Sequence, residues 1–354
     1  MSARIGSAIL AVGLLAACAH DAPFRPRVDR PQGPYDPTPP VRLTRNPLGD
    51  RFPAWLADGT GILYSTDRAD RFDHDRCLAL LPAAGGAIER YICYQGGGSD
   101  DSVDAFESVA AGMNGALAFT HASAFIGFSW PIAPYFRSLV RLADGAAQVL
   151  LDVPYVAPSG RTHQALSHLA WLGADTLVYV GAQVAYPRPC AGCVDTLQWG
   201  IEIALLDLSG AVPVVSVVPG TGGASAVTVG AGDTIYYTLN GDSRVLRRAL
   251  ASGDTATVHD FGAAGIARDP SVRGRRLVAV VGGAVAFYVD TVLGPVQVDN
   301  GGVLHVVDLS TGGDSVPVNP ADLYRRPALS PDGKHVAVEG VLGRATDIWL
   351  VPLP

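Results

Sequence analysis

The sequence predicts an all-β protein, a six-bladed β-propeller of four-stranded antiparallel blades whose last blade is closed by an N-terminal strand. Three observations support this prediction. Gly supplies 41 and Pro 26 of the 354 residues, well above their usual combined share of roughly 12%, so tight turns are frequent. Short apolar strands flank these turns. The paired strands recur at intervals of roughly 45–60 residues, a period typical of propeller blades.

The repeated unit is two short strands joined by an Asp/Gly turn. It is clearest at residues 52–65, where Asp58-Gly59 separates two apolar strands, and at residues 326–338, where the turn contains Asp332-Gly333. An Asp-Gly turn between apolar strands is a strong hairpin signal. A third copy and three weaker copies complete six pairs; they cover residues 169–179, 108–119, 227–237 and 270–280.

The last unit carries a family resemblance. Pro327-Ala328-Leu329-Ser330-Pro331-Asp332-Gly333-Lys334, followed by Asp347-Ile348-Trp349-Leu350-Val351, resembles the repeat of TolB-like propellers, which also builds the propeller of prolyl oligopeptidase-type enzymes. The resemblance covers about residues 41–354 and implies six blades. Aligning the units places equivalent residues at Phe52, Phe106, His168, Ser225, Asp269 and Arg326.

Ring closure can be predicted from the two ends of this region. The last unit has only three strands, whereas Val41-Arg42-Leu43-Thr44 is a strand without a blade of its own. We expect it to be the fourth strand of the last blade, because closing the ring protects the edges of a propeller. Seven blades is the alternative, since residues 281–303 could hold an extra hairpin.

The N-terminus has the pattern of an export signal. Arg4 precedes an apolar stretch at residues 5–17 that ends in Leu15-Ala16-Ala17-Cys18, too short to cross a bilayer as a helix. This ending resembles the bacterial lipobox, which implies that residues 1–17 are a lipoprotein signal peptide and that Cys18 carries the lipid. An ordinary signal peptide with an incidental cysteine is the alternative.

The segment after the lipid site is predicted to be a tether. Residues 18–40 contain seven prolines and should form a semi-rigid extended spacer before the propeller domain of residues 41–354. We expect a cell-envelope protein facing the periplasm. Ala19, which follows the lipobox cysteine, favours the outer over the inner membrane in such lipoproteins.

Four further cysteines predict two disulfides, because export makes disulfides permissible. We expect Cys77 to pair with Cys93 and Cys190 with Cys193. The Cys190–Cys193 spacing also occurs in redox motifs, which place the reactive cysteine at a helix N-terminus. Pro187 and Pro189 come before it and a strand-like segment follows, so a small loop-locking disulfide is favoured.

Most catalytic and binding classes find no support in the sequence. The net charge of −7 argues against a nucleic-acid surface, and no nucleophile elbow, phosphate loop or dinucleotide motif is present. We therefore expect no cofactor. One loop concentrates carboxylates that calcium could use, but interleaved arginines favour a salt-bridged loop over this weak metal candidate. Its carboxylates are Asp67, Asp70, Asp73 and Asp75.

The candidate binding site is the mouth of the central channel. If the aligned positions and the residues just before them lie there, the mouth is polar, Arg-rich and partly aromatic; the candidates are Arg51, Phe52, Phe106, His168, Asp269, Arg325 and Arg326. Arg is a favoured interface residue. The alternative is a structural ring of salt bridges. The aromatic insertion at residues 125–136 is a second candidate surface.

Two functions follow from this organisation. The first is a non-catalytic, monomeric scaffold, held to the membrane by its lipid, that binds an envelope protein or peptide. The second is a small-ligand binder or metal-dependent enzyme that uses the channel mouth. The lack of catalytic motifs favours the first, although a propeller fold alone does not determine function.

Overall fold

The computed structural model describes residues 39–45, 49–67, 76–85, 90–92, 102–125, 136–143, 146–151, 162–185, 197–282, 286–290, 294–298, 301–318, 320–321, 323–342 and 345–354. Within these ranges the chain forms 26 β-strands, a short 3-10 turn at Gly262–Ala264 and no α-helix. This part of the chain contains no helix long and apolar enough to cross a membrane.

Six four-stranded antiparallel sheets form the blades of a propeller, as predicted. In each blade the strand written first is innermost, because these strands contact one another around the ring. Blade 1 contains β2 (Asp50–Trp55), β3 (Gly61–Asp67), β4 (Arg76–Pro82) and β5 (Arg90–Ile92). Blade 2 contains β6 (Ser102–Ala111), β7 (Leu117–Phe125), β8 (Phe136–Ala143) and β9 (Ala146–Leu151). Blade 3 contains β10 (Thr162–Trp171), β11 (Thr176–Ala185), β12 (Leu197–Asp207) and β13 (Val214–Val217).

The other three blades follow the same plan. Blade 4 contains β14 (Ala224–Val229), β15 (Thr234–Leu239), β16 (Arg244–Ala249) and β17 (Thr255–Asp260). Blade 5 contains β18 (Ile266–Arg273), β19 (Arg276–Gly282), β22 (Val303–Asp308) and β23 (Asp314–Ser315). Blade 6 contains β24 (Leu323–Leu329), β25 (His335–Leu342), β26 (Ala345–Pro352) and, as its outer strand, β1 (Val41–Arg42).

The N-terminal strand closes the ring, as the sequence predicted. β1 pairs with β26 in the register Val41↔Leu350. The next residues continue the contact, because Leu43 donates its backbone N–H to Ile348 O over 2.8 Å and the Thr44 hydroxyl accepts the Ile348 N–H over 3.0 Å. Leu43 is fully buried among side chains of blades 1 and 6. A short strand is therefore anchored by buried contacts beyond its two paired residues.

The extra hairpin considered for a seventh blade belongs to blade 5. Strands β20 (Ala286–Asp290) and β21 (Gly294–Val298) pair only with each other, and they lie in the chain between the second and third strands of that blade. β19 pairs directly with β22. The hairpin is thus an insertion, and the ring has six blades.

The core lies between neighbouring blades. Each of six apolar clusters combines residues from two adjacent blades; between blades 5 and 6, for example, Val278 and Val280 meet Val336 and Val338. A middle strand such as β19 is covered on both faces, so nearly all of its residues are buried. This explains why these strands are continuously apolar instead of alternating.

Candidate functional site

The innermost strands share a bulge that turns one side chain toward the channel axis. In five blades the register shifts inside the innermost strand, and at the shift a residue other than glycine has a positive φ of 46–55°. Such a conformation costs about 1 kcal/mol or more, so the packing of the ring must hold it. We call these residues the channel ring; they are Phe52, Ser108, His168, Asp269 and Arg326.

Two aligned positions differ from the prediction. In blade 2 the ring residue is Ser108, and Phe106 lies two residues earlier, buried edge-on against Phe119 with ring centroids 5.0 Å apart. The alignment on Phe106 was wrong, because Ser108 and not Phe106 stands six residues before its turn residue, as Phe52 stands before Asp58. In blade 4, Ser225 occupies a smaller register shift and is not among the positive-φ residues.

A buried carboxylate links blades 6 and 1 at the ring. Glu339 Oε1 accepts the backbone N–H of Phe52 over 2.6 Å, and Arg326 Nη1 donates to both Glu339 oxygens over 2.9 and 3.0 Å. The Arg326 guanidinium lies 4.1 Å from the centroid of the Phe52 ring, within the range of a cation–π contact. The Glu339 side chain is 0% exposed and that of Arg326 is 28% exposed.

A second pair links blades 3, 5 and 6. His168 Nε2 lies 2.8 Å from Asp269 Oδ1, and Asp269 Oδ2 accepts the backbone N–H of Arg326 over 3.0 Å. Burial alone would raise the pKa of Asp269. The hydrogen bond and charge of His168, with the charge and amide of Arg326, instead hold that pKa well below its ordinary value.

The other ring nitrogen of His168 is also engaged. Nδ1 lies 2.8 Å from the Ser167 hydroxyl, while the His168 backbone N–H donates to Ser108 Oγ over 3.3 Å. The channel ring is therefore a set of paired charges and hydrogen bonds that join non-adjacent parts of the chain. This arrangement matches the structural alternative that the sequence left open.

A cavity of about 480 Å³ runs along the channel axis on one side of this ring. It begins at the ring residues and extends to the turns that join the first and second strands of the blades. Its wall exposes polar and apolar atoms in about equal measure, and its apolar side chains include Leu169, Val227 and Leu329. The turn residues at its mouth include Ala57, Met113, Gly173, Gly232 and Pro331.

Two tryptophans line this cavity from equivalent places in blades 1 and 3. The Trp55 indole N–H donates to Ala328 O over 2.9 Å, and that of Trp171 donates to Ala110 O over 3.3 Å. Each bond reaches the preceding blade of the ring. Both indoles are consequently fixed in orientation, with part of their surface still accessible.

The predicted channel-mouth residues thus lie at the inner end of the cavity. Phe52, His168, Asp269 and Arg326 line it, while Arg51, Phe106 and Arg325 do not. The prediction placed these residues before the innermost strands, but they lie within β2, β6, β10, β18 and β24. The mouth itself is formed by the turns between the first two strands of the blades. In the sequence analysis these turns served only to identify the repeated units.

Most of the other candidates fall outside the described residues. Cys18, Cys93, Cys190, Cys193, Asp70, Asp73 and Asp75 lie there, as does the aromatic insertion beyond Phe125. Cys77 is buried in β4 and forms a disulfide. Asp67 ends β3, where its backbone pairs with Arg76. Among the described residues, no group of three or more His, Cys, Asp or Glu side chains is arranged to hold a metal ion.

The sequence analysis missed Glu339, the acid that holds Arg326 and the Phe52 amide. A signal for it was available, because Glu339 follows His335-Val336-Ala337-Val338 in an otherwise apolar strand. A charged residue in such a strand is seldom buried unless it is paired. Trp55 and Trp171 were used only to align the repeats, and their place in the cavity wall was not foreseen.

Comparison with known proteins supports the fold of this chain but does not assign it a family or an activity. No protein-family model matches the chain, and no curated protein matches its sequence. A gluconolactonase from Xanthomonas campestris has a similar structure with a TM-score of 0.53 and 14% identity, covering 93% of this chain and 95% of that one. At this identity the likeness concerns the fold alone.

Two further solved structures are more distant. TolB from Acinetobacter baumannii has a TM-score of 0.47 and 13% identity over 86% of this chain, which spans 63% of that protein. An oligogalacturonate lyase in complex with manganese has a TM-score of 0.46 and 14% identity, covering 94% and 97% of the two chains. The strand order and the gluconolactonase likeness identify the chain as a six-bladed β-propeller, consistent with the TolB-like repeat in its first and last blades.

Proposed function

We propose that this protein is a non-catalytic envelope lipoprotein whose propeller binds a protein or peptide segment in the channel cavity. The observation that carries the proposal is the contrast between the wall and the ring. The side chains that line the cavity between the ring and the turns are uncharged and include two oriented indoles, whereas the charges of the ring are paired with one another.

The size of the cavity suits this function. Ligand sites are typically concave and mostly apolar, with volumes of about 300–1,000 Å³, and the channel cavity of about 480 Å³ lies in that range. A volume of this kind accommodates a few side chains of an inserted segment. Fixed Trp55 and Trp171 rings reduce the ordering cost of binding, because rigid aromatic surfaces lose little side-chain freedom.

The alternative of a metal-dependent enzyme has less support. A general base or metal ligand needs a nitrogen or carboxylate oxygen that can reach the substrate or ion. Both nitrogens of His168 and both oxygens of Asp269 already have partners. Recruiting them would break the contacts that join blades 3, 5 and 6.

The channel as the binding site is tested by site-specific photo-crosslinking in bacterial cells that export the full-length protein. A benzophenone amino acid replaces Met113, which is 80% exposed at the cavity mouth. The matched control places it at Val212, which is 72% exposed beside the outer strand of blade 3. We expect a discrete adduct from position 113 and none from position 212.

Two results would count against the proposal. Equal adducts from both positions would move the interface away from the channel, and the lack of any adduct would contradict a protein-binding scaffold.

Lipid attachment is tested separately by metabolic labelling with a fatty acid. Labelling should occur in the wild type and disappear in Cys18→Ala.

A further inference from the structure

We infer that the segment entering the channel cavity is basic: an extended peptide in which Lys or Arg residues flank an apolar residue. The inference rests on the proposed function and specifies the chemistry of its partner. The apolar residue would enter the cavity, and the cationic residues would remain at its mouth.

The cavity mouth is surrounded by carboxylates. In four of the six blades the turn between the first two strands carries an exposed aspartate one or two residues after a residue that lines the cavity. We call these the rim aspartates; they are Asp58, Asp175, Asp233 and Asp332. Blade 2 has the neutral Asn114 at its turn. Opposite charges across an interface favour association and partner selection.

Two rim aspartates belong to neighbouring turns. A methyl group added to Gly59 would lie 3.7 Å from the Pro331 ring, so the turns of blades 1 and 6 lie next to each other. Their carboxylates are also held in the ionised form. Hydrogen bonds from the Thr60 amide and hydroxyl lower the pKa of Asp58, and those from the Ser330 hydroxyl and Lys334 amide lower the pKa of Asp332.

The positive groups of the mouth lie mainly in blade 5. Its turn is Arg273-Gly274-Arg275, all exposed, and Arg273 lines the cavity. Lys334, exposed beside Asp332, is the other cation of these turns among the described residues. The field at the mouth is therefore asymmetric, and the cationic side chains of the ligand should lie over the rim aspartates of blades 6, 1, 3 and 4 and away from blade 5.

The interior explains why an apolar residue should separate the two cations. The wall contains Leu169, Val227 and Leu329, while the inner end holds the Arg326 guanidinium. A ligand cation driven to that depth would lose hydration, and the ring carboxylates that could receive it are already engaged by His168 and Arg326. An apolar side chain meets neither obstacle, and burying it is favourable.

The test measures binding of three synthetic peptides to the full-length protein by titration calorimetry at low salt. The peptides are Ac-Ala-Lys-Leu-Leu-Lys-Ala-NH2 and its counterparts with Glu or Gln at both Lys positions. We expect the Lys peptide to bind about tenfold more tightly than the Gln peptide and the Glu peptide to bind more weakly still. The preference should shrink at high salt, because exposed charges are screened.

The variant Asp58→Asn with Asp332→Asn removes the two neighbouring charges and keeps a side-chain oxygen for each turn. Losing two exposed ion pairs should weaken the Lys peptide roughly fivefold and leave the Gln peptide unchanged. The matched control is Asp260→Asn, an exposed aspartate that accepts hydrogen bonds from Ser243 and Gly262 at the end of blade 4 opposite the cavity mouth. It should change binding less than twofold.

The outcomes separate the inference from the proposed function. Equal affinity for all three peptides, or equal effects of the rim and Asp260 variants, would overturn the basic-peptide inference while leaving the channel scaffold intact. An adduct at position 113 with no peptide binding would also overturn it. The absence of both an adduct and peptide binding would overturn the proposed function itself.

Discussion

Carboxylates at two levels of one channel have different roles. At the ring, Glu339 and Asp269 are buried and bonded to residues 13 to 287 positions away. At the rim, Asp58 and Asp332 are exposed and bonded to residues of their own turns, two positions away. The first pair holds blades together, whereas the second leaves its charge facing solvent. The same residue chemistry thus joins blades at one level and leaves carboxylates exposed to solvent at the other.

The strongest test of this comparison is Glu339→Ala. This substitution removes the carboxylate that accepts hydrogen bonds from the Arg326 guanidinium and the Phe52 amide. Breaking a buried ion pair typically lowers the free energy of unfolding by about 3–5 kcal/mol. The free energy of unfolding from denaturant titration measures this loss. The double variant Arg326→Met, Glu339→Met should recover part of it. A loss below about 1 kcal/mol would show that the ring is not structural.

The next largest effect concerns the pH dependence of stability. The pKa of Asp269 is lowered in the folded state. Its contribution to the free energy of unfolding is therefore present above its pKa in the unfolded chain, about 3.9, and is lost as the pH falls below that value. Charged hydrogen bonds of this kind are worth about 2 kcal/mol. Asp269→Asn should therefore be less stable than the wild type at pH 7, and the difference in the free energy of unfolding between the two proteins should narrow as the pH falls below about 4.

Thermal or denaturant unfolding of both proteins from pH 7 to pH 3 measures that gap. A difference that stays constant across this range would mean that the Asp269 carboxylate does not contribute through its charge. The rim supplies the contrast, since Asp58→Asn should show no comparable narrowing.

A smaller effect is expected from Trp55→Phe. The change keeps an aromatic ring in the cavity wall but removes the N–H that donates to Ala328 O in blade 6. Losing one such hydrogen bond costs about 1 kcal/mol. Denaturant titration should show this loss, and Trp171→Phe should show a similar one. If neither variant changes the free energy of unfolding, the indoles contribute by packing and not by their hydrogen bonds.

The smallest effect on stability is expected at the rim. Asp58→Asn preserves the oxygen that accepts the Thr60 amide, and exposed substitutions usually change stability by less than about 0.5 kcal/mol. Its melting temperature should match the wild type within about 1–2 °C. A large loss would mean that the rim, like the ring, is structural.

Much of the fold could be predicted because its signals are local. Asp58-Gly59 and Asp332-Gly333 marked hairpins, and their repetition predicted the blades. The candidate site was harder. The alignment of the units placed Phe106 on the channel, yet the bulge places Ser108 there, because a register shift redirects every following side chain.

The sequence by itself determined the strand pairs, the turns between them and the closing role of β1, since each depends on neighbouring residues or on a count of repeats. It favoured six blades over seven, and the structure decided the number because β20 and β21 pair only with each other. Only the tertiary structure decided which charges meet. Phe52 and Glu339 are 287 positions apart, and His168 and Asp269 are 101 apart. Ring closure and the positive-φ bulges bring them together, and no local pattern specifies contacts at such separations.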